Sequence, residues 1–138
     1  MGCDIHAYLE VKNNNGDWLF INEPEKINQR NYRLFATLAG VRNSFGIDPI
    51  SNPRGIPEDV TDYVKGEFDT WEGDGHNHSY LTAKELLEFD YDKRFELEDG
   101  KYSYRDLIDS YSDYFKFLKD LKYFDKPEDV RLVFWFDN

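Results

Sequence analysis

The chain has 138 residues, a net charge of −11 and an aromatic content of 17%, which is enough length for one domain with one core. The acidic charge excludes nonspecific nucleic-acid binding and anionic membrane surfaces, because both depend on an excess of Lys and Arg. The only cysteine, Cys3, excludes an intrachain disulfide, and no apolar run reaches the roughly 20 residues that span a bilayer, so we expect a cytoplasmic protein with no membrane partner.

The first residues predict a β-hairpin. Apolar and polar side chains alternate over residues 3–12, and the polar side of this strand carries Asp4 and His6. "NNNG" at 13–16 predicts a turn, and "DWLFI" supplies the returning strand. We therefore expect a half-buried N-terminal strand with a hairpin partner.

The middle of the chain predicts helices. "NYRLFATLAG" has apolar residues at helical spacing and Gly40 as a stop, and "IPEDVTDYVKG" has Pro57 in a first turn and Gly66 as its stop. "TAKELLEF" begins with a capping box, and an apolar stripe predicts one helix over about 104–121. Between them, glycines around residues 74–78 predict a loop, and "ELEDGKYSY" predicts a second hairpin.

The last residues, "DVRLVFWF", alternate again and predict a C-terminal strand. Strands at both ends with helices between them predict a single α+β domain over residues 1–138. We expect a small antiparallel sheet that joins the N- and C-terminal strands, packs against several helices and is covered mainly on one face.

The arginines are concentrated in one part of this acidic chain. The basic residues between positions 26 and 56 are Lys26, Arg30, Arg33, Arg42 and Arg54. Arginine can bind phosphate or carboxylate through two parallel hydrogen bonds, so the cluster indicates an anion site. Arg54 lies in "NPRGIP", which cannot be a regular helix or central strand and is typical of a loop that positions a side chain. The alternative is that these arginines pair with nearby Asp and Glu.

The three histidines share a spacing with two aspartates. Asp4 precedes His6 by two residues, and Asp74 precedes His76 by two, with His78 two further on. Because residues i and i+2 share a strand face, such a pair can bind a metal or orient an imidazole. We expect the two stretches to meet in space. Asp4, His6, His76 and His78 are candidate ligands of a divalent metal, whereas His6, Asp74, His76 and His78 are candidate catalytic residues; structural hydrogen bonding is the third interpretation.

Several segments resemble a family of small proteins encoded by tailed bacteriophages. The matching motifs are "MGCDIHAYLE", "RNYRLFATLAGVR", "PRGIPEDV", "GDGHNHSYLT" and the terminal "VFWFDN". The resemblance covers about half of the chain and implies a location in the cytoplasm of an infected bacterium, but it implies no mechanism. Residues 90–127 lie outside it, which suggests a variable helical elaboration.

The motifs that carry the resemblance also contain the candidate site residues. We expect a pocket that combines arginine for a phosphate, an aromatic ring for a base and Asp or Asn for ribose and base edges. The expected ligand-binding residues are Arg30, Asn31, Tyr32, Arg42, Arg54 and Tyr80.

Three functions follow from this pattern. The first is a phage-type binding protein that sequesters a small phosphorylated or nucleotide-derived molecule, as a counter-defence sponge would. The second is a hydrolase or phosphodiesterase that uses a divalent metal or His/Asp acid–base pairs. The third is an acidic protein inhibitor that mimics DNA. The sequence leaves the cofactor open and is compatible with a homo-oligomer.

Overall fold

The centre of the protein is a four-stranded antiparallel sheet in the order β2-β1-β6-β3. The computed structural model describes residues 2–138, apart from the side chain of Glu72; Met1 of the N-terminal motif lies outside them. The strands are β1 (Asp4–Lys12), β2 (Trp18–Asn22), β3 (Gly75–Thr82) and β6 (Val130–Asp137). The strands from the two ends of the chain are thus neighbours at the centre of the sheet, and the predicted α+β fold is confirmed.

Helices and a second hairpin connect these strands. Over residues 2–138 the helices are α1 (Tyr32–Ala39), α2 (Asp62–Trp71), α3 (Ala83–Glu88), α4 (Tyr104–Ile108) and α5 (Asp113–Leu121). The hairpin of β4 (Arg94–Leu97) and β5 (Gly100–Ser103) confirms the second predicted hairpin, although its turn residues are Glu98 and Asp99 and Gly100 starts β5. Within the described residues, no helix combines the length and the apolar character needed to cross a bilayer.

Two predicted helices are confirmed together with their caps. Helix α1 starts where Asn31 Oδ1 accepts a hydrogen bond from the Leu34 amide, and it ends at Gly40, which has a φ of 71°. Helix α3 has the predicted capping box, in which Thr82 and Glu85 exchange side-chain-to-backbone hydrogen bonds. Local side-chain chemistry therefore determines both boundaries of α1 and the start of α3.

Three other predictions were wrong. Helix α2 was expected to begin near Pro57 and to stop at Gly66, but it starts at Asp62 and continues through Gly66 to Trp71. Pro57 lies in a separate turn, in which the Val60 amide donates to the Pro57 carbonyl. The stripe over 104–121 forms two helices, since Asp109 has a φ of 86° that an α-helix cannot contain. The segment expected as a loop at 74–78 enters β3, which starts at Gly75.

Both faces of the sheet are covered. On the first face, Phe134 and Phe136 of β6 pack into the main core with residues of α1, α3, α4 and α5. On the second face, Tyr8, Val133 and Trp135 form a smaller core with Val64 of α2. The sheet was expected to be covered mainly on one face, and the larger core does lie on the first face. The second face carries a smaller core, because alternate positions of β1 and β6 bear aromatic residues that α2 buries.

A buried ion pair lies on the second face beside this smaller core. Glu10 is 0% exposed and Arg131 is 4% exposed, and Arg131 Nε donates to Glu10 Oε1 at 2.6 Å. The other Glu10 oxygen accepts from the Thr61 amide at 2.9 Å, and Arg131 Nη1 donates to Asp59 Oδ1 at 2.8 Å. These contacts fix the segment that leads into α2.

Candidate functional site

The register of the sheet brings the two Asp-x-His stretches together. His6 pairs with Trp135, and His76 pairs with the next residue of β6, Phe136. Because β6 lies between β1 and β3, His6 and His76 are two strand spacings apart, about 10 Å. Their side chains nevertheless point to opposite faces of the sheet, since neighbouring positions of β6 alternate.

A β-bulge places His78, rather than His76, on the same face as His6. The register of β3 shifts between His76 and Ser79, where Asn77 adopts a φ of 54°. The ring centre of His78 is 5.7 Å from that of Trp135, and the ring centre of His6 is 6.5 Å from that of Trp135. The shared spacing therefore marks a real proximity, with Trp135 as the common neighbour.

Asp137 and the end of α2 complete this cluster. His6 Nε2 is 3.4 Å from Asp137 Oδ2, and the His6 ring lies 4.2 Å from the ring of Trp71. Phe68 of α2 contacts His78 edge-on at 4.9 Å. We call these six residues the His–Trp cluster: His6, Phe68, Trp71, His78, Trp135 and Asp137.

Polar atoms of the cluster are buried without hydrogen bonds. They are His6 Nε2, His78 Nε2 and Trp135 Nε1. A Cβ added at Gly75 would lie 3.1 Å from both His78 Nε2 and Trp135 Cδ1, so the backbone approaches these rings closely. Burial lowers the pKa of His78, and nearby His76 lowers it further, so the ring is neutral at pH 7.

The remaining residues of the histidine motifs lie elsewhere. His76 Nε2 is 3.1 Å from Asn138 Oδ1, and Asp74 is exposed in the turn before β3. Asp4 accepts two hydrogen bonds from Arg30, at 2.9 and 3.1 Å, and this contact lowers the pKa of the Asp4 carboxyl group. The residues proposed as one acid–base set are therefore distributed over both faces and an edge of the sheet.

The proposed metal ligands do not converge. Among the described side chains, which exclude those of Met1 and Glu72, no group of three or more His, Cys, Asp or Glu is arranged so that it could hold a metal ion. Asp4 is paired with Arg30, and His6 and His76 face opposite sides of the sheet. The set Asp4, His6, His76 and His78 therefore does not form a metal centre in this arrangement.

Arg54 forms an internal clamp. Its Nη1 donates to Glu85 Oε1 at 2.9 Å and to the Tyr80 carbonyl at 3.1 Å, while its Nη2 donates to Glu85 Oε2. The Arg54 amide donates to Ser79 Oγ at 3.1 Å. The hydrogen bond from Arg54 lowers the pKa of Glu85 to about 2. These contacts attach "NPRGIP" to β3 and α3, so a structural role accounts for Arg54 and for the position of Tyr80.

Three of the predicted ligand residues line one open depression beside α1. Its volume is about 350 Å³, and we call it the α1 depression; its lining residues are Asn31, Tyr32, Arg33, Arg42, Ser44 and Phe45. The Arg42 guanidinium lies 5.2 Å from the centre of the Tyr32 ring, and the Tyr32 hydroxyl accepts from the Cys3 amide at 3.1 Å. Arg33 and Arg42 are both exposed.

A larger depression has the wrong charge for an anion. It measures about 540 Å³ and lies between β2 and α5, where Glu23, Glu25 and Asp120 contribute carboxylates to its lining. Lys26 also lines it, but its ammonium group is bound to Asp120 at 2.6 Å. The α1 depression is smaller and carries two arginines, so it is the better candidate for a phosphorylated ligand.

Sequence reasoning missed Trp135, Asp137 and Trp71. The side chains of "DVRLVFWF" alternate between the two faces of the sheet, and both sets are largely apolar. A second element must therefore bury the set that faces away from the main core. It also missed Ser44 and Phe45, which become neighbours of Tyr32 only when the turn after α1 folds back. The chain reverses direction at Gly40, whose φ is 71°, and the sequence had indicated this glycine only as a helix stop.

Comparisons with known proteins identify no relative. No family model, curated protein or solved structure matches the chain.

Proposed function

We propose that the protein binds and sequesters a small phosphorylated, nucleotide-like molecule in the α1 depression. The observation that carries this proposal is the position of Arg33 and Arg42, which line one concave surface of a protein whose net charge is −11. Guanidinium groups bind phosphate oxygens in a planar geometry, and an isolated basic site in an acidic protein selects small anions over nucleic acid.

Aromatic rings in the same depression suit the base of such a ligand. Tyr32 and Phe45 line it, and the hydrogen bond from the Cys3 amide holds the Tyr32 ring in place. Ser44 adds a hydroxyl group that can donate to a phosphate oxygen. The Asn31 side chain caps α1 and donates to the Ile108 carbonyl at 3.3 Å, so it supports the rim and leaves recognition to its neighbours.

The lining favours binding over turnover. The side chains around the α1 depression include neither an imidazole nor a carboxylate, and these are the usual general acids and bases. His6 and His78 lie on the second face of the sheet, whereas α1 packs on the first. The phage-like motifs are consistent with a role in which the protein removes a host signal by holding it.

Isothermal titration calorimetry with inorganic phosphate, nucleoside mono- and diphosphates and cyclic nucleotides tests this proposal. We expect nucleotides to bind, and Arg33→Ala or Arg42→Ala to weaken them by about tenfold or more, the scale of one charge-assisted contact. Lys84→Ala is the matched control, because Lys84 is an exposed cation on α3. Mass spectrometry after denaturation should recover the ligand unaltered. Failure of all nucleotides to bind, or equal affinity in the three variants, would contradict the proposal.

Acid–base hydrolysis is the second candidate, supported by the approach of His6 Nε2 to Asp137 at 3.4 Å. It predicts a chemically altered ligand after incubation and loss of that alteration in His6→Ala. Recovery of every nucleotide intact would exclude it for the compounds tested.

A further inference from the structure

A second depression adjoins the α1 depression at Arg33. It has a volume of about 450 Å³ and lies between α4 and the β4–β5 hairpin. Arg33 and Phe45 line both depressions, and we call the adjoining pair the trough and each depression a lobe. A ligand that passes over Arg33 and Phe45 can therefore contact both lobes.

Both lobes offer the same pair of groups. The first lobe has the Tyr32 ring beside the Arg42 guanidinium, and the second has the Tyr102 ring beside exposed Lys101. Each lobe thus has a ring that can stack on a base and a cation that can approach phosphate, while Arg33 lies at the shared boundary. This repetition fits a ligand that itself has two similar halves.

The carboxylates of the second lobe are compatible with such a ligand. Asp99 accepts a hydrogen bond from the Tyr102 hydroxyl, which raises the pKa of that tyrosine and holds its ring, and a free carboxylate oxygen can accept from a ribose hydroxyl. Asp106 is engaged in the α4 cap, where it accepts from the Ser103 amide at 3.1 Å. Neither carboxylate lines the first lobe, which carries Arg42 in addition to the shared Arg33.

We propose, on the basis of the function proposed above, that the ligand is a dinucleotide, with two bases joined through phosphate. One base lies against Tyr32 and the other against Tyr102, and the linking phosphate lies at Arg33. A mononucleotide would occupy the first lobe alone, because that lobe combines Arg33 and Arg42 with an aromatic ring.

Titration of AMP, linear pApA and cyclic diadenylate into the wild-type protein tests the dinucleotide assignment. A linear or a cyclic dinucleotide should bind at least tenfold more tightly than AMP, because the second base adds a stacking contact. Tyr102→Leu should remove about tenfold of dinucleotide affinity and leave AMP unchanged. Tyr111→Leu is the matched control, because the side chain of Tyr111 is 88% exposed outside the trough.

The outcomes separate this inference from the proposed function. If AMP binds and depends on Arg42, but dinucleotides bind no more tightly and Tyr102→Leu behaves like Tyr111→Leu, the dinucleotide assignment is wrong and nucleotide binding stands. If none of the three compounds binds while another nucleotide of the calorimetric series does, the dinucleotide assignment is wrong and nucleotide binding stands; if that whole series fails as well, both are wrong. Thermal melts verify folding of each variant; if Tyr102→Leu does not fold, Lys101→Ala replaces it and should weaken the dinucleotides selectively.

Discussion

Replacement of Arg131 by methionine should strongly destabilise the protein. The change removes the cation that compensates Glu10, which is 0% exposed and receives its hydrogen bond from Arg131 Nε at 2.6 Å. A buried charge that loses its partner costs about 3–5 kcal/mol. A typical domain has only about 5–15 kcal/mol of unfolding free energy, so Arg131→Met should lower the melting temperature by roughly 10–20 °C.

Urea denaturation followed by tryptophan fluorescence measures this loss. Arg105→Met is the control, because Arg105 pairs with Asp92 at a partly exposed position and should cost less than about 1 kcal/mol. The double variant Glu10→Leu, Arg131→Met should recover much of the stability, since it removes both buried charges together. A cost for Arg131→Met no greater than for Arg105→Met, or a double variant less stable than Arg131→Met, would refute the reasoning.

Three further substitutions test contacts around β3. Burial lowers the pKa of His78 below 6.5, so the unfolded chain takes up the proton first and the unfolding free energy falls as the pH drops below about 6.5. His78→Phe should flatten this part of a melting-temperature profile, and an unchanged slope would contradict the assignment. Arg54→Ala should cost about 1–2 kcal/mol at pH 7, after allowance for solvent screening of a pair whose Glu85 side chain is 35% exposed. Because the pKa of Glu85 falls from 4.5 to about 2, most of this difference should disappear as the pH falls from 4.5 to 2, leaving the share of the hydrogen bond to the Tyr80 carbonyl; an undiminished difference at pH 2 would exclude the ion pair as its main cause. Gly75→Ala should cost about 1–3 kcal/mol, since its Cβ would lie 3.1 Å from His78 Nε2, whereas Gly73→Ala meets open space; equal melting temperatures would show that the approach is not tight.

The elements that follow from local chemistry were predictable. The capping box of α3 and the Gly40 stop of α1 need only neighbouring residues, and both formed as expected. The terminal strands were recognised by alternation, and an antiparallel sheet that joins them was the economical arrangement, which the pairing of β1 with β6 confirms. In each case the information lies within a few residues of the element.

The elements that depend on distant partners were not predictable. "GDGHNHSY" reads as a loop because of its glycines, but β6 supplies a neighbour that turns it into a strand, and the bulge at Asn77 then decides which histidine faces Trp135. The break at Asp109 interrupts an apolar stripe whose periodicity continues across it. Periodicity reports which side chains are buried, not whether one helix carries them all.

The candidate site, like the fold, was predictable from the sequence only in part. Residue type identified the arginines, but only tertiary structure shows that Arg30 and Arg54 are paired with Asp4 and Glu85. Carboxylates are abundant in this chain, so the sequence does not show which arginine is bound to which carboxylate. Arg33 was one of several basic residues in the sequence, and only the structure shows that it lines both the α1 depression and the neighbouring one.

The pairing of β1 with β6 also determines how the protein should respond to force. Asp4 lies opposite Asp137, and the eight residues of β6 run antiparallel to β1 from that point. Tension applied at residues 4 and 137 would load the inter-strand hydrogen bonds one after another from this end, because those bonds lie perpendicular to the strands. The two central strands, β1 and β6, would therefore separate from each other at low force, one hydrogen bond after another, before any other strand pair opens. A surface attachment through both ends would therefore strain the centre of the fold before any outer element, whereas attachment through one end would leave it intact.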